Sequence, residues 1–234
     1  MTFQEKFDYK PLTREEIDGK RHYCTPDGKK VASVTTILDV TKSDESKEAL
    51  DNWRKAVGHR RAQEITTNAA NRGTRMHAYL EHYIKTGEMK EFPKNPYAHD
   101  AWYMAADIIL KSFNNIDEFW GIEVPVYFPE LYAGTTDCVG IWKGKPAIID
   151  FKQSNKVKKE EWIPDYFTQL ASYAIAHNEL FGTDIKQGVI LMSVAPSNDN
   201  PEPQMLIFEK SGSEFEYWQD HWWDRVEKYY RKTM

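Results

Sequence analysis

The spacing of apolar residues along this chain switches between helical and extended periods, and each switch marks an element. Residues 46–64 and 68–86 carry helical patterns, the second stopping at Gly87, a residue suited to end a helix. A third helix is predicted over about 97–114. The pattern then turns β-like. Residues 121–128 are rich in Val, Ile and rings, 132–142 follow, and Pro129-Glu130 between them reads as a hairpin turn. Gly144-Lys145-Pro146 leads into a third strand at 147–153. A helix over about 164–181 precedes strands at 188–194 and 204–209, which the polar loop 195–201 connects. In 213–232, Phe215, Trp218, Trp222, Val226 and Tyr229 recur at helical spacing, a stripe suited to face a core.

Nearer the start, Pro26-Asp27-Gly28 marks a tight turn between Tyr23 and Val31. Ser33-Val34-Thr35-Thr36 offers hydroxyls that cap a helix or meet a phosphate, capping being the commoner use. The order of elements implies an α/β sandwich with a central mixed sheet flanked by helices. The 234 residues suit a single domain, 1–234, with a helical leader or N-terminal lobe at 1–66 and a core at 67–234.

Composition narrows the picture only slightly. With 41% hydrophobic and 29% charged residues the chain reads as globular, and 14% aromatics give rings for a core or for base stacking. The formal net charge of −5 argues weakly against a nucleic-acid partner. Local charge matters more, because screening limits each charge to roughly 10 Å. Arg54, Lys55, Arg60, Arg61, Arg72 and Arg75 form one basic stretch, and Lys152, Lys156, Lys158 and Lys159 another. Either run alone reads as a solvated helix face. Cys24 and Cys138 are the only cysteines, so neither a disulfide framework nor a cysteine-rich metal site is written here. There is no signal-like leader and no apolar run long enough to span a bilayer, and a reducing cytoplasm is the expected compartment.

The candidate chemistry centres on Ile148-Ile149-Asp150-Phe151-Lys152. Alternation puts Ile148, Asp150 and Lys152 on one strand face and Ala147, Ile149 and Phe151 on the other. Alone, Asp-x-Lys is no more than a common surface ion pair. Asp137 lies in the preceding strand, and pairing around Gly144 would bring it close to Asp150. Two such carboxylates repel unless a cation lies between them, and oxygen ligands suit Mg²⁺ or Mn²⁺. Lys152 would then orient water and stabilise charge developing on a phosphate. His77 and Glu81 share a helix face four residues apart, as do Gln169 and Tyr173.

Taken in order, Gly73-Thr74-x-x-His77-x-x-x-Glu81, Gly134-Thr135-x-Asp137, Ile149-Asp150-Phe151-Lys152 and Gln169-x-x-x-Tyr173 resemble the RecB-type branch of the PD-(D/E)XK nucleases. The leader from Tyr23 to Leu38 is similar to that of stand-alone exonucleases related to the mitochondrial genome maintenance exonuclease, many of them encoded by bacteriophages. The resemblance implies a restriction-endonuclease-like core. It also implies metal held by His77, Asp137, Asp150 and the Phe151 carbonyl, with Lys152 assisting the nucleophilic water. Glu123 matches a position where many members place a supporting carboxylate, and Glu81 would orient His77. Gln169, Tyr173, Ser154 and Lys156 would contact DNA, joined by Arg72 and Arg75 of the basic stretch. A helical N-terminal lobe over the metal site would leave a passage in which Tyr79, Trp53 or Trp162 could stack on bases, although each ring alone is more often a core residue. The implied activity is a metal-dependent DNA exonuclease favouring single strands with a free end, working beside phage replication or recombination proteins. A structure-specific endonuclease and a non-catalytic DNA-binding protein are the alternatives.

Overall fold

A computed structural model describes residues 2–233. One mixed sheet of nine strands runs through it. Its strands are β1 (Thr2–Phe3), β2 (Thr13–Ile17), β3 (Lys20–Cys24), β4 (Lys30–Ser33), β5 (Ile116–Phe128), β6 (Tyr132–Trp142), β7 (Lys145–Ser154), β8 (Gln187–Val194) and β9 (Gln204–Ser211). The helices are α1 (Val34–Val40), α2 (Asp44–Val57), α3 (His59–Thr86), α4 (His99–Ser112), α5 (Pro164–Phe181) and α6 (Ser213–Thr233). None is long and apolar enough to cross a membrane. The chain is α/β, with helices on both sheet faces. One core layer gathers Met76, Leu80, Met104 and Ile108 from α3 and α4 against Cys138, Ile149 and Phe151. The other gathers Phe167, Tyr173, Trp222 and Tyr229 from α5 and α6 against Val124, Val139 and Ile148. The stripe on α6 faces this second core, with Trp218 at its margin.

Local chemistry accounts for most element ends. Ser33 Oγ accepts the Thr36 N–H and starts α1, and Ser43 does the same for α2 through Ser46. Gly87 closes α3 in the left-handed conformation. Lys143 and Gly144, both at positive φ, make the tight β6–β7 hairpin.

Two expectations need correction. The first two helices divide at Gly58, whose φ of 83° leaves the helical region, rather than at 65–67. Thr66 stays helical, its hydroxyl donating back to the Ala62 carbonyl at 2.9 Å instead of capping a new helix. The N-terminal portion is also not uniformly helical. Its first 33 residues supply four strands, and β2–β3–β4 extend the same sheet that carries the core.

The sheet divides in the middle. β5 pairs with β6 along nearly all of its length, from Phe128↔Tyr132 to Ile116↔Trp142. The other edge of β6 is shared. Parallel β4 takes Tyr132 and Ala133, and antiparallel β7 takes Cys138 to Trp142. Gly134 to Asp137 have no strand partner on that edge. Beyond Ile149, β7 leaves β6 and stays paired only with β8, as far as Ser154. The result is a fork, with Asp137 at its root.

Close approach elsewhere fixes how β5 and β6 lie together. A Cβ built on Gly140 would come 2.2 Å from the Glu118 carbonyl oxygen, a backbone atom in the irregular stretch of β5. Gly140→Ala is therefore expected to destabilise the fold by about 1–3 kcal/mol, the usual scale of core overpacking. Urea unfolding would check this, and an unchanged midpoint would contradict it.

Candidate active site

Asp137 and Glu123 sit where two strands turn over. Ile122 packs toward the α3–α4 core, whereas Val124 and Val126 pack toward the α5–α6 core. Residues two apart on a regular strand share a face, so the alternation reverses at Glu123. Its φ of 50° is the cause, a conformation that costs a non-glycine residue roughly 1–3 kcal/mol. On β6, Gly134 abuts Tyr173 on one face while Cys138 faces the opposite core. The register places Ile122 opposite Cys138 and Val124 opposite Thr136, which sets Glu123 across from Asp137.

The fork leaves the backbone of Phe151, a residue only 2% exposed, without a β6 partner. Asp137 Oδ2 accepts the Phe151 N–H at 2.8 Å. His77, from the middle of α3, uses Nε2 on the Phe151 carbonyl at 2.9 Å. That carbonyl can only accept, so Nε2 carries hydrogen. In a neutral ring Nδ1 then presents a lone pair, 3.5 Å from Asp137 Oδ1. His77, Glu123 and Asp137 each bring a ligand atom within 4.8 Å of the other two. Three lone-pair donors at that spacing suit a divalent cation.

Asp150 and Lys152 share the strand face toward α5, as alternation requires. Asp150 Oδ2 is ion-paired with Lys152 Nζ and meets no other hydrogen-bonding group among the described residues. Burial pushes Asp150 up to about 6; Lys152 opposes that rise and the Asp137 charge adds to it. For Lys152, burial works downward, but Asp150 and Asp137 outweigh it and hold the amine above its ordinary range. Lys152 is an ammonium at neutral pH. The ring of Tyr166, from the first turn of α5, lies 5.1 Å from its nitrogen. Glu123 is pushed up to about 7, first by partial desolvation and then by Asp137 and Glu81, although much of the residue remains open to solvent.

The expected ligand set is thus rearranged. His77 and Asp137 come together with Glu123. Asp150 turns to Lys152, and the Phe151 carbonyl is occupied by His77. Glu81 makes no hydrogen bond to His77 but pairs with Lys85 at 3.7 Å, and it lines the same recess as His77 and Glu123. Gln169 donates to the buried Tyr173 hydroxyl at 2.9 Å, and both border a second recess that also reaches Glu123. Ser154 closes a turn with the Lys156 backbone, leaving the Lys156 side chain in solvent. Arg72 is half-buried. It donates to Gln153 Oε1 at 2.6 Å and also to Asn155, bracing α3 against the end of β7. Arg75, half-buried, holds the carbonyl of the exposed Tyr97 at 3.0 Å. Of the three rings offered for stacking, Tyr79 packs against the α3–α4 core, Trp53 is half-buried and Trp162 is open, with Lys159 over it.

Two residues at the site carry no motif. Tyr166 precedes Gln169 by three residues and Tyr173 by seven, so helical periodicity is the signal that could have found it. Gln153, whose Nε2 donates to the Ala69 carbonyl of α3 at 3.1 Å, has no such signal.

No family profile matches the chain. It is similar to mitochondrial genome maintenance exonuclease 1 of Xenopus tropicalis, at 26% identity over 97% of this chain and 65% of that protein. The Homo sapiens protein of the same name is 28% identical over 86% of this chain and 59% of its own length. The Mus musculus protein is 26% identical over 95% and 68%. The chain therefore spans roughly two thirds of the length of these curated relatives. Among solved structures, one from Eubacterium rectale superposes with a TM-score of 0.49 at 16% identity, covering 69% of this chain and 64% of that one, too loose a likeness to bear on fold or function.

The raised acids predict how stability responds to pH. Glu123 and Asp150 titrate near 7 and 6 in the fold, against roughly 4 in an unfolded chain. Folding therefore takes up protons within that window. The contribution is full at the acid end and is lost as pH rises through the folded values. With metal chelated, melting temperature should fall between about pH 5.5 and pH 7.5. Added Mg²⁺ should raise it more at the higher pH, where no proton competes for the carboxylates. Equal Mg²⁺ shifts at both pH values, read by thermal melts, would contradict this.

Proposed function

We propose that this chain is a metal-dependent deoxyribonuclease with a PD-(D/E)XK, restriction-endonuclease-like core in a single domain. It hydrolyses phosphodiester bonds from a strand end and favours single-stranded DNA. The observation that carries this reading is the meeting of His77, Glu123 and Asp137 at the fork, within 4.8 Å of one another, beside the Asp150–Lys152 pair. Similarity along most of the chain to proteins named exonucleases supports the choice of a nuclease over other phosphate chemistry.

His77, Asp137 and Glu123 are the residues that would hold Mg²⁺ or Mn²⁺, while Asp150 stays with Lys152. Such an ion supplies a Lewis acid for the phosphoryl oxygen and lowers the pKa of water. Lys152, kept cationic, acts as a hydrogen-bond donor and positive charge rather than as a base. It holds the attacking water and meets the negative charge that grows on the phosphate. Asp150 fixes the ammonium, and Tyr166 covers it from the helix side. Gln169 and Tyr173 line the approach for DNA. Arg75, Lys156 and the exposed ring of Trp162 are placed to meet the strand, whereas Arg72 supports the fork through Gln153. A phage setting, with replication or recombination partners, follows the resemblance of the leader and motifs.

Lys152→Met should lower the cleavage rate by about 100- to 1000-fold, the scale for losing one preorganised charge-stabilising donor. DNA affinity and the melting profile should change much less, because the long apolar side chain keeps the packing and the raised Asp150 can take a proton. Turnover near that of the unaltered protein would remove Lys152 from the chemistry.

End-labelled linear single strands, incubated with Mg²⁺ or Mn²⁺, should be degraded faster than blunt duplex, and covalently closed single-stranded circles should survive. Chelation should stop the reaction. Equal loss of circles and linear strands would instead indicate an endonuclease.

A further inference from the structure

The recess on the far side of Glu123 from His77 has a volume of about 420 Å³. One wall is the β2–β3 hairpin, within the portion whose sequence suggests a helical leader. Pairing sets Arg14 opposite Tyr23 and Glu16 opposite Arg21. Arg14 and Arg21 are therefore diagonal neighbours on one face, roughly 7–8 Å apart by sheet geometry. Both line the recess, together with Thr35, Thr135, Gln169 and Glu123.

Arg60, Arg61, Arg225 and Arg231 each pair with a carboxylate. Among the described residues, neither Arg14 nor Arg21 has a carboxylate within 4 Å, and Glu15 pairs with Lys30 instead. Glu15, Glu16 and Asp39 share a smaller neighbouring recess with the same two arginines, and Glu16 lies opposite Arg21 on their face. In the larger recess the two arginines face one carboxylate, Glu123, so its lining carries net positive charge that attracts an anionic strand. Guanidinium groups suit phosphate oxygens through paired N–H donors.

We propose that Arg14 and Arg21 bind two backbone phosphates of the single strand that enters the fork, making the β2–β3 hairpin the guide to the cleavage centre. This rests on the nuclease reading above. Each arginine offsets the repulsion that Glu123 and Asp137 exert on an approaching phosphate. The hydroxyl of Thr35 and the amide of Gln169 are positioned for the sugar and base of the same strand.

Binding of a fluorescent single-stranded oligonucleotide to the full chain, measured in Ca²⁺ across a range of salt, tests the guide. Arg14→Ala/Arg21→Ala should weaken binding at least tenfold and flatten the log–log salt slope by about 1.4, or roughly 0.7 for each phosphate no longer neutralised by an arginine. Arg14→Lys/Arg21→Lys keeps the charge and should restore most of the slope, which a folding defect would not allow. Lys145→Ala/Lys186→Ala, at the starts of β7 and β8 and so at their ends away from the fork, should change little. The weakening should be equal for 5′-hydroxyl and 5′-phosphoryl oligonucleotides. An effect confined to the phosphorylated one would place a terminal phosphate there and overturn the backbone guide. Unchanged affinity and slope in the alanine pair, with cleavage intact, would overturn the guide and leave the nuclease reading standing. An unaltered protein that neither binds nor cuts DNA would overturn both.

Discussion

The site depends on the point where β7 leaves β6. β7 can diverge because its other edge remains paired with β8 through Ser154. Divergence leaves the N–H and C=O of Phe151 facing a gap in a nearly dry interior, where unpaired backbone groups are costly. Asp137 and His77 satisfy them at 2.8 and 2.9 Å. The bond to the Asp137 carboxylate contributes about 1.5–3 kcal/mol and the one to the neutral carbonyl about 0.5–1.5 kcal/mol. The same two side chains that close the gap therefore bring their remaining lone pairs to one place, and the structural need and the capacity for metal arise together.

Around that point the charges are balanced locally rather than globally. Asp150, 4% exposed at its side chain, is tolerable because Lys152 is beside it, and the ammonium is retained because two carboxylates surround it. Glu123 has no such partner and remains the acid most easily protonated. Two helices brace the arrangement from opposite faces. α3 is tied to β7 through Gln153 and Arg72. α5 places Tyr166 over Lys152 and Tyr173 over Gly134. A displacement of either helix would reach the fork directly.

Part of this was legible in the sequence. The element order from the third helix onward, the β5–β6 and β6–β7 hairpins and the alternation that puts Asp150 and Lys152 on one face follow from local periods and turn residues. Such signals need only a few neighbouring positions. The N-terminal strands were less visible. β2 and β3, Thr-Arg-Glu-Glu-Ile and Lys-Arg-His-Tyr-Cys, are mostly polar and partly exposed, and they hold their form by pairing with each other and with β4 rather than by an apolar face.

The sequence by itself determined which chemical groups exist, the local elements that carry them and their order along the chain. The resemblance of its motifs to the RecB-type nucleases singled out His77, Asp137, Asp150 and Lys152 as a candidate set. Tertiary structure alone decided which of them meet. The reversal of strand alternation at Glu123 depends on one backbone torsion, and no residue type at that position announces it. That torsion brings Glu123 into the group with His77 and Asp137, while the parting of β6 and β7 leaves Asp150 facing Lys152. Contacts across 74 and 14 residues, from His77 and Asp137 to the backbone of Phe151, are set by how a sheet divides, and division is a property of paired strands rather than of any segment read alone.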